Sequence, residues 1–493
     1  MPTQSEPSKP EEKKEEKPTP KDNLVESKHS VQIGGKAINY TVTVGTIVLK
    51  EETADREKEA EGEKPRAQVF FIAYTKDGVR DRSNRPISFS FNGGPGSSSV
   101  WLHLGVLGPR RVILEHDGNL PAPPFKLTDN QYSLLDETDL VFIDPMSTGY
   151  SRPVEGQKPK EWHSFRKDIE SVGDFIRLYT TRYKRWLSPK FLVGESYGTT
   201  RAAGLSGYLQ DRHGMYLNGL MLISAVLDFT TLDFNLNNDL PYIMFLPSYA
   251  ATAWYHRKLT LRMPLQTLLK EVEEFAFGDY AAALLKGNSL TPEERANVAQ
   301  KLARYTGISP EFIERTNLRI IDQHFFKELL RDRNQVVGRL DSRLLGRDRL
   351  GVTERPERDP LLNTVMGPYT AAFYDYVRAE LNFESDLPYE ILNGKVWPWS
   401  YSEFENQYVN VAETLRHAMT ANPYLKVFVA NGYYDLGTPY FATEYTFNHL
   451  GLDESLRDNV SMEYYDAGHM MYIHLPSLKE MKRDLSRFIK NAS

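Results

Sequence analysis

"FLVGESYG" (residues 191–198) decides how the rest of the chain is read. Phe191 to Gly194 have the apolar, β-prone character of a buried strand end. A serine follows, with Gly194 two residues before it and Gly198 two residues after it. A tight turn would account for that order. So would a nucleophile elbow, in which Ser196 sits on a strained strand-to-helix turn with its hydroxyl exposed. The pentapeptide alone does not separate the two readings.

A serine hydroxyl becomes a nucleophile only with a base to take its proton and a third group to orient that base. On an α/β-hydrolase sheet these partners follow in the order serine, acid, histidine. "VFVANGYYD" (427–435) is an apolar strand running into a polar loop, which puts Asp435 just past a strand end. "DAGHM" (466–470) follows the strand-like "VSMEYY" (460–465) and puts His469 in the same relation. Taken singly, His469 could be a buried structural histidine and Asp435 a turn or cap residue. Together, three suitable residue types stand at three strand ends in the required order. "SFNGGPGSSS" (90–99) adds a glycine-rich loop after a further strand, able to aim backbone N–H groups at a developing oxyanion. It also reads as an ordinary turn. It is not a phosphate loop, because no Gly-Lys-Ser/Thr follows.

Around these segments the pattern is that of an α/β core interrupted by helices. "HSVQIGGKAINYTVTVGTIVL" (29–49) alternates about Gly34-Gly35 as an antiparallel hairpin. Strands are expected at 67–78, 85–94, 138–144, 190–194 and 217–224, with helices from Trp162 to about Lys184 and after Ser196. From Leu232 to about Tyr401 the chain is mostly helix-like; Thr291-Pro292 begins one helix and Gly307 ends it. Strand alternation returns at 425–432 and 460–468, and an amphipathic helix over 477–492 closes the chain. The expected division is a disordered charged tail (1–27), a first core part (28–231), a helical lid insertion (232–401) and a second core part (402–493).

Composition narrows the function. The chain has 493 residues, 40% hydrophobic and 12% aromatic, enough for a large core. Its net charge of -6 leaves no basic excess to offset phosphates, which argues against nucleic acid as a partner. The absence of cysteine excludes disulfides, thiolate catalysis and Cys-ligated zinc, without fixing the compartment. No apolar run is long enough for a membrane span. "SEPSKPEEKKEEKPTPKD" (5–22) offers nothing to bury and is expected to be solvated; no signal-peptide core precedes it. His469 and His474 lack a third ligand, so no metal is expected.

"NGGPGSSS" (92–99), "DLVFIDPMSTGYS" (139–151), "GESYG" (194–198), "NGYYDLGTP" (431–439) and "DAGHM" together resemble the ordered signatures of the serine carboxypeptidases, peptidase family S10. The resemblance runs from about residue 65 to the C-terminus and includes a helical insertion. "FLPSYAATAWYH" (245–256) is more similar to bacterial members than to vacuolar or plant ones. The resemblance implies an α/β-hydrolase fold with a central, mostly parallel sheet and a helical lid. It also implies removal of single residues from peptide C-termini through an acyl-enzyme, without metal or organic cofactor. By the same resemblance Ser196 is the nucleophile, Asp435 the acid and His469 the base. The N–H groups of Gly94 and Tyr197 form the oxyanion hole, and Asn92 and Glu195 bind the substrate's terminal carboxylate. Burial and a bound carboxylate would both raise the pKa of Glu195, and the protonated acid can donate to that carboxylate.

The chain departs from the family at Ser97, where cysteine is usual, and in "MMYIHLP" (470–476), where a proline often follows the His-Met pair. It also departs at Val106, where many eukaryotic members carry a second acid that shares a proton with the glutamate beside the nucleophile. The resemblance and the charged tail point towards export, periplasmic or secreted, which the sequence itself leaves open. An acyltransferase or esterase would use the same triad. A non-catalytic peptide-binding scaffold would have no use for it. Side-chain preference and oligomeric state are left open by the sequence.

Overall fold

The computed structural model describes residues 20–52, 62–260 and 262–493. Nine strands form one mixed sheet: β1 (Asn23–Ile33), β2 (Lys36–Glu52), β3 (Glu63–Lys76), β4 (Ile87–Phe91), β5 (Asp139–Ile143), β6 (Lys190–Glu195), β7 (Gly219–Ile223), β8 (Lys426–Gly432) and β9 (Val460–Tyr465). Their order across the sheet is β1-β2-β3-β5-β4-β6-β7-β8-β9, with the short strand Arg152–Pro153 pairing beside β3. The first three strands are an antiparallel meander, and β3 meets β5 antiparallel. From β5 to β9 every pair is parallel. The inner parallel strands are short, apolar and covered on both faces, as crossover helices require, while β9 at the edge is half-buried.

Period-two alternation sorts each strand between two cores. Phe191 and Val193 of β6, and Phe428 and Ala430 of β8, point to one face. There they meet Leu478, Met481 and Leu485 of the C-terminal helix (Leu475–Ala492). Leu192, Val427 and Val429 point to the other face. They meet Val172 and Ile176 of α1 (Phe165–Arg182) and Leu205 and Leu209 of α2 (Tyr197–His213).

The stretch 232–401 carries most of its helices before residue 330 and over 360–380, with a short two-stranded ladder (Val336–Val337 with Leu345–Gly346) and irregular segments between and after them, and it divides by packing. Helices α3 (Leu240–Tyr255), α4 (Leu265–Phe275) and α5 (Pro292–Thr306) build a third core around Met244, Leu268, Val272 and Leu302. Helix α5 starts on a full capping box between Thr291 and Glu294 and ends on Gly307, in the left-handed region. Helix α6 (Pro360–Asp375) instead packs Leu361, Val365, Tyr369 and Phe373 into the first core, against the sheet side of the molecule. Among the described residues no helix is long and apolar enough to cross a membrane.

The tail expected over 1–27 needs correction at its C-terminal end; residues 1–19 lie outside the described residues. Asn23 to Ser27 belong to β1, in register with Thr46 to Val42 of β2. The segment is polar because β1 is an edge strand with one wet face, so its composition resembles that of a solvated tail. Just ahead of it, Asp22 accepts a hydrogen bond from the Val48 N–H at 2.8 Å and pairs with Arg182 at 2.6 Å. Deleting residues 1–24 should therefore be destabilising. Asp22→Ala alone is expected to cost about 1 kcal/mol, mainly through the Val48 bond. Urea denaturation midpoints check this: a midpoint equal to wild type would show that the anchor is idle.

Candidate active site

Ser196 occupies the single residue between β6 and α2. Its backbone is at φ 60°, ψ -130°, a region that costs a non-glycine residue about 1–3 kcal/mol. Surrounding hydrogen bonds hold it there. The Ser196 N–H donates to Ile223 O at 3.0 Å, and Ser196 O accepts from the Thr199 N–H at 2.8 Å and the Thr199 hydroxyl at 2.7 Å. The flanking glycines are needed for close approach: a Cβ on Gly194 would lie 2.1 Å from Gly198 O, and one on Gly198 would lie 2.9 Å from Phe91 O. Strand β6 can then turn sharply into α2 while β4 passes beside it.

Asp435 follows β8 and His469 follows β9, so both stand at the same sheet edge as Ser196. Asp435 Oδ2 accepts from His469 Nδ1 at 2.7 Å and from the Thr438 hydroxyl at 2.7 Å. Its Oδ1 accepts from the N–H groups of Gly437 and Thr438 at 2.7 and 3.0 Å. Burial opposes the charge on Asp435, but His469 and the Thr438 donors outweigh it and hold the pKa below the usual carboxylate value. Burial likewise opposes charging His469; the adjacent Asp435, with help from Glu195, outweighs it and raises the imidazole pKa. Ser224, at the end of β7, donates to His469 O at 2.7 Å and anchors the histidine loop from below. Among the described residues Ser196 Oγ makes no hydrogen bond to His469. Such bonds are often long in a ligand-free enzyme and tighten when substrate is held.

Glu195 is 4% exposed and adjoins the nucleophile. Its Oε1 accepts from Asn92 Nδ2 at 3.0 Å and its Oε2 from the Tyr472 hydroxyl at 2.7 Å. Burial lifts its pKa to about 7 against the opposing effects of His469, Tyr472 and Asn92. Asn92 is held in turn, its Oδ1 accepting from the Leu102 N–H at 3.1 Å. Val106 is fully buried among apolar residues of the first core.

The Gly94 backbone, at φ 101°, turns the loop after β4 across the start of α2. Among the described residues the Gly94 N–H donates to no backbone acceptor, and Tyr197 is the first residue of α2, whose N–H has no partner within the helix. Asp144, past the end of β5, pins the far end of that loop: its Oδ1 accepts from the Ser99 N–H at 2.9 Å and the Ser99 hydroxyl at 2.8 Å.

Four contributors were not identified from the sequence. Tyr472 lies in a stretch read only for its missing proline. Asp144 lies in a quoted motif but had no role. Arg201 and Asp168 are charged helix residues to which the sequence assigned no role, and both are buried and paired at 2.8 Å. Arg201 also donates to Asn92 O and lies over the Phe91 and Tyr197 rings, 5.3 and 5.2 Å from their centroids. It therefore ties α1, α2 and the end of β4 together beneath the elbow. The signal, in hindsight, was an arginine among alanines and glycines in "TTRAAGLSG" (199–207).

The model of the serine carboxypeptidase family matches residues 60–474. A 162-residue stretch is 34% identical to the pheromone-processing carboxypeptidase KEX1 of Saccharomyces cerevisiae, covering 31% of this chain and 20% of that protein. Serine carboxypeptidase-like 33 of Arabidopsis thaliana is 29% identical over 143 residues, 27% of this chain and 26% of its own length. The matches thus span about a fifth to a quarter of those relatives. The crystal structure of Kex1(delta)p, a prohormone-processing carboxypeptidase from Saccharomyces cerevisiae, superimposes with a TM-score of 0.56 at 17% identity, covering 92% of this chain and 91% of that one. That likeness carries the α/β-hydrolase fold, and the family model extends over most of the sheet, the helical insertion and all three strand-end residues: the chain belongs to the serine carboxypeptidase family.

Proposed function

We propose that this protein hydrolyses single residues from the C-termini of peptides as a serine carboxypeptidase. His469 takes the proton of Ser196 as the hydroxyl attacks the scissile carbonyl. Asp435 keeps the imidazole in the tautomer whose Nε2 is free to accept it. The N–H groups of Gly94 and Tyr197 receive the oxyanion. His469 then protonates the leaving amine, and a water molecule hydrolyses the acyl-enzyme by the same steps in reverse. Residues 232–401 supply the lid over this edge of the sheet.

The observation that supports removal of terminal residues, rather than internal cleavage, is Glu195: a buried carboxyl next to the nucleophile, bonded by Asn92 and Tyr472. With its pKa near 7, it is protonated in mildly acidic solution and can donate to a substrate carboxylate. Tyr472 supplies a second donor to Glu195, in a chain that lacks the second acid found in many eukaryotic members.

A blocked dipeptide with a free C-terminus should be cleaved far better than its amide. As pH rises through about 7, Glu195 ionises and faces a like charge. KM for free-acid substrates should then climb, while KM for an ester lacking the terminal carboxylate should not. Glu195→Gln never ionises and should flatten the climb while keeping turnover. Equal cleavage of acid and amide, or parallel KM curves for wild type and variant, would refute carboxylate recognition by this pair.

A further inference from the structure

The acid and base loops do not touch only each other. A short segment returning from the helical insertion, "GRLDSRL" (338–344), runs between them. Toward the acid loop, Arg339 O accepts from the Leu436 N–H at 2.9 Å, and Tyr434 O accepts from the Ser342 N–H and hydroxyl, both at 3.0 Å. Toward the base loop, Leu340 O accepts from the His469 N–H at 2.6 Å. Asp341 Oδ2 accepts from the Gly468 N–H at 3.3 Å, and Arg343 Nη1 donates to Asp466 O at 2.9 Å. The six bonds address residues on both sides of Asp435 and three of the four positions from Asp466 to His469, all but Ala467.

The segment is itself rigidly held. Arg343 forks onto Asp341 through Nε–Oδ1 at 2.9 Å and Nη2–Oδ2 at 2.6 Å, and Asp341 is fully buried. Asp359 accepts from the N–H groups of Arg339 and Leu340 at 2.8 and 3.0 Å. Thr252 of α3 and His256 just past its end bond to the Ser342 hydroxyl and carbonyl, each at 2.6 Å. The fit against the base loop leaves no room: a Cβ on Gly468 would lie 2.5 to 2.6 Å from Cβ, Cα and Cγ of Asp341. The glycine of "DAGHM" is thus explained by this segment rather than by the histidine.

We propose that Asp341 and Arg343 are positioning residues for the proton relay: their ion pair fixes the spacing of the two loops and thereby the Asp435–His469 hydrogen bond. Neither side chain acts on substrate; both act through His469. The inference rests on the roles proposed above for Ser196, Asp435 and His469.

The groups whose charges act on His469 are Asp435, Glu195 and Arg339. Loosening the segment weakens the Asp435 contribution, which raises the imidazole pKa, and leaves burial, which lowers it. The acid limb of kcat/KM should therefore move to lower pH. Misplacement by about 1 Å can lower turnover by about 10²-fold.

The test uses the full-length chain and the double variant D341N/R343M, which removes both charges together and so leaves no unpaired buried ion. Expected are a kcat lower by about 10²-fold, KM within about twofold, and an acid limb displaced to lower pH. A loss of folded protein would scale the whole pH profile without moving its limb. R343K keeps a cation beside Asp341 but loses the fork that also reaches Asp466; it should displace the limb in the same direction by a smaller amount. If the double variant does not fold, R343K decides. A folded variant with wild-type kcat and an unmoved limb overturns the proposal. Wild-type protein that neither releases C-terminal residues nor reacts with a fluorophosphonate at Ser196 would instead overturn the functional reading beneath it.

Discussion

Ser196→Ala is expected to lower kcat on a blocked dipeptide by about 10⁶-fold, the scale seen when a serine protease loses its nucleophile. The loss should be chemical and not structural. The substitution removes one oxygen from a side chain that is neither packed in a hydrophobic cluster nor hydrogen-bonded through Oγ among the described residues. The bonds that hold the elbow belong to the backbone, from Ser196 N–H to Ile223 O and from Thr199 to Ser196 O, and alanine keeps them. Alanine also inherits the same positive φ, so the strain is unchanged. Thermal unfolding should therefore match wild type while turnover disappears. A fluorophosphonate should label Ser196 in the wild type and nothing at that position in the variant. Retained peptide hydrolysis, or wild-type protein that resists the label, would exclude Ser196 as nucleophile.

The strand-end residues were legible because their signal is local. Ser196 and Asp435 each follow an apolar, buried strand, His469 follows a half-buried edge strand, and parallel sheets place their loops at one edge. Glu195 was singled out only through the family resemblance, as the neighbour of Ser196. What the sequence hid was long-range. Tyr472 reaches Glu195 from 277 positions away, and Arg201 joins helices and a strand whose packing no periodicity specifies. Helix α6 shows the limit well. Leu361, Val365, Tyr369 and Phe373 mark an apolar stripe at helical spacing, so the helix was foreseeable, but nothing in the stripe says which surface it covers. The segment 338–344 carries almost no periodic signal, since its work is done by backbone groups and one ion pair. At the other end, the part of β1 ahead of residue 29 was hidden by its own wet face: Leu24, Glu26 and Lys28 point outward, and the charged ones are the same residue types that make the preceding tail look unstructured.

Asp435→Asn should be the next most damaging change, lowering kcat by about 10⁴-fold and so less than loss of the nucleophile. The asparagine Oδ1 can keep the Gly437 and Thr438 N–H donors that Asp435 Oδ1 now holds at 2.7 and 3.0 Å. The amide nitrogen is then forced to the other side, where Asp435 Oδ2 accepts from His469 Nδ1 and the Thr438 hydroxyl. The NH₂ group there can only donate, so it favours the His469 tautomer with a bare Nδ1 and a proton on Nε2. That tautomer cannot take the proton of Ser196. Backbone geometry survives because the loop's own hydrogen bonds do, and KM should change little. The electrostatics change as well. Asp435 is the main influence raising the His469 pKa against burial; with a neutral amide in its place, burial prevails and the imidazole pKa falls. The residual activity should therefore persist to lower pH than in wild type, even as its plateau drops. A pH profile of kcat/KM for both proteins reads the two effects separately. A variant within tenfold of wild type would show that His469 is oriented by something other than Asp435. A deep loss with an unmoved acid limb would show that the limb in wild type belongs to another group, with Glu195 the first to examine.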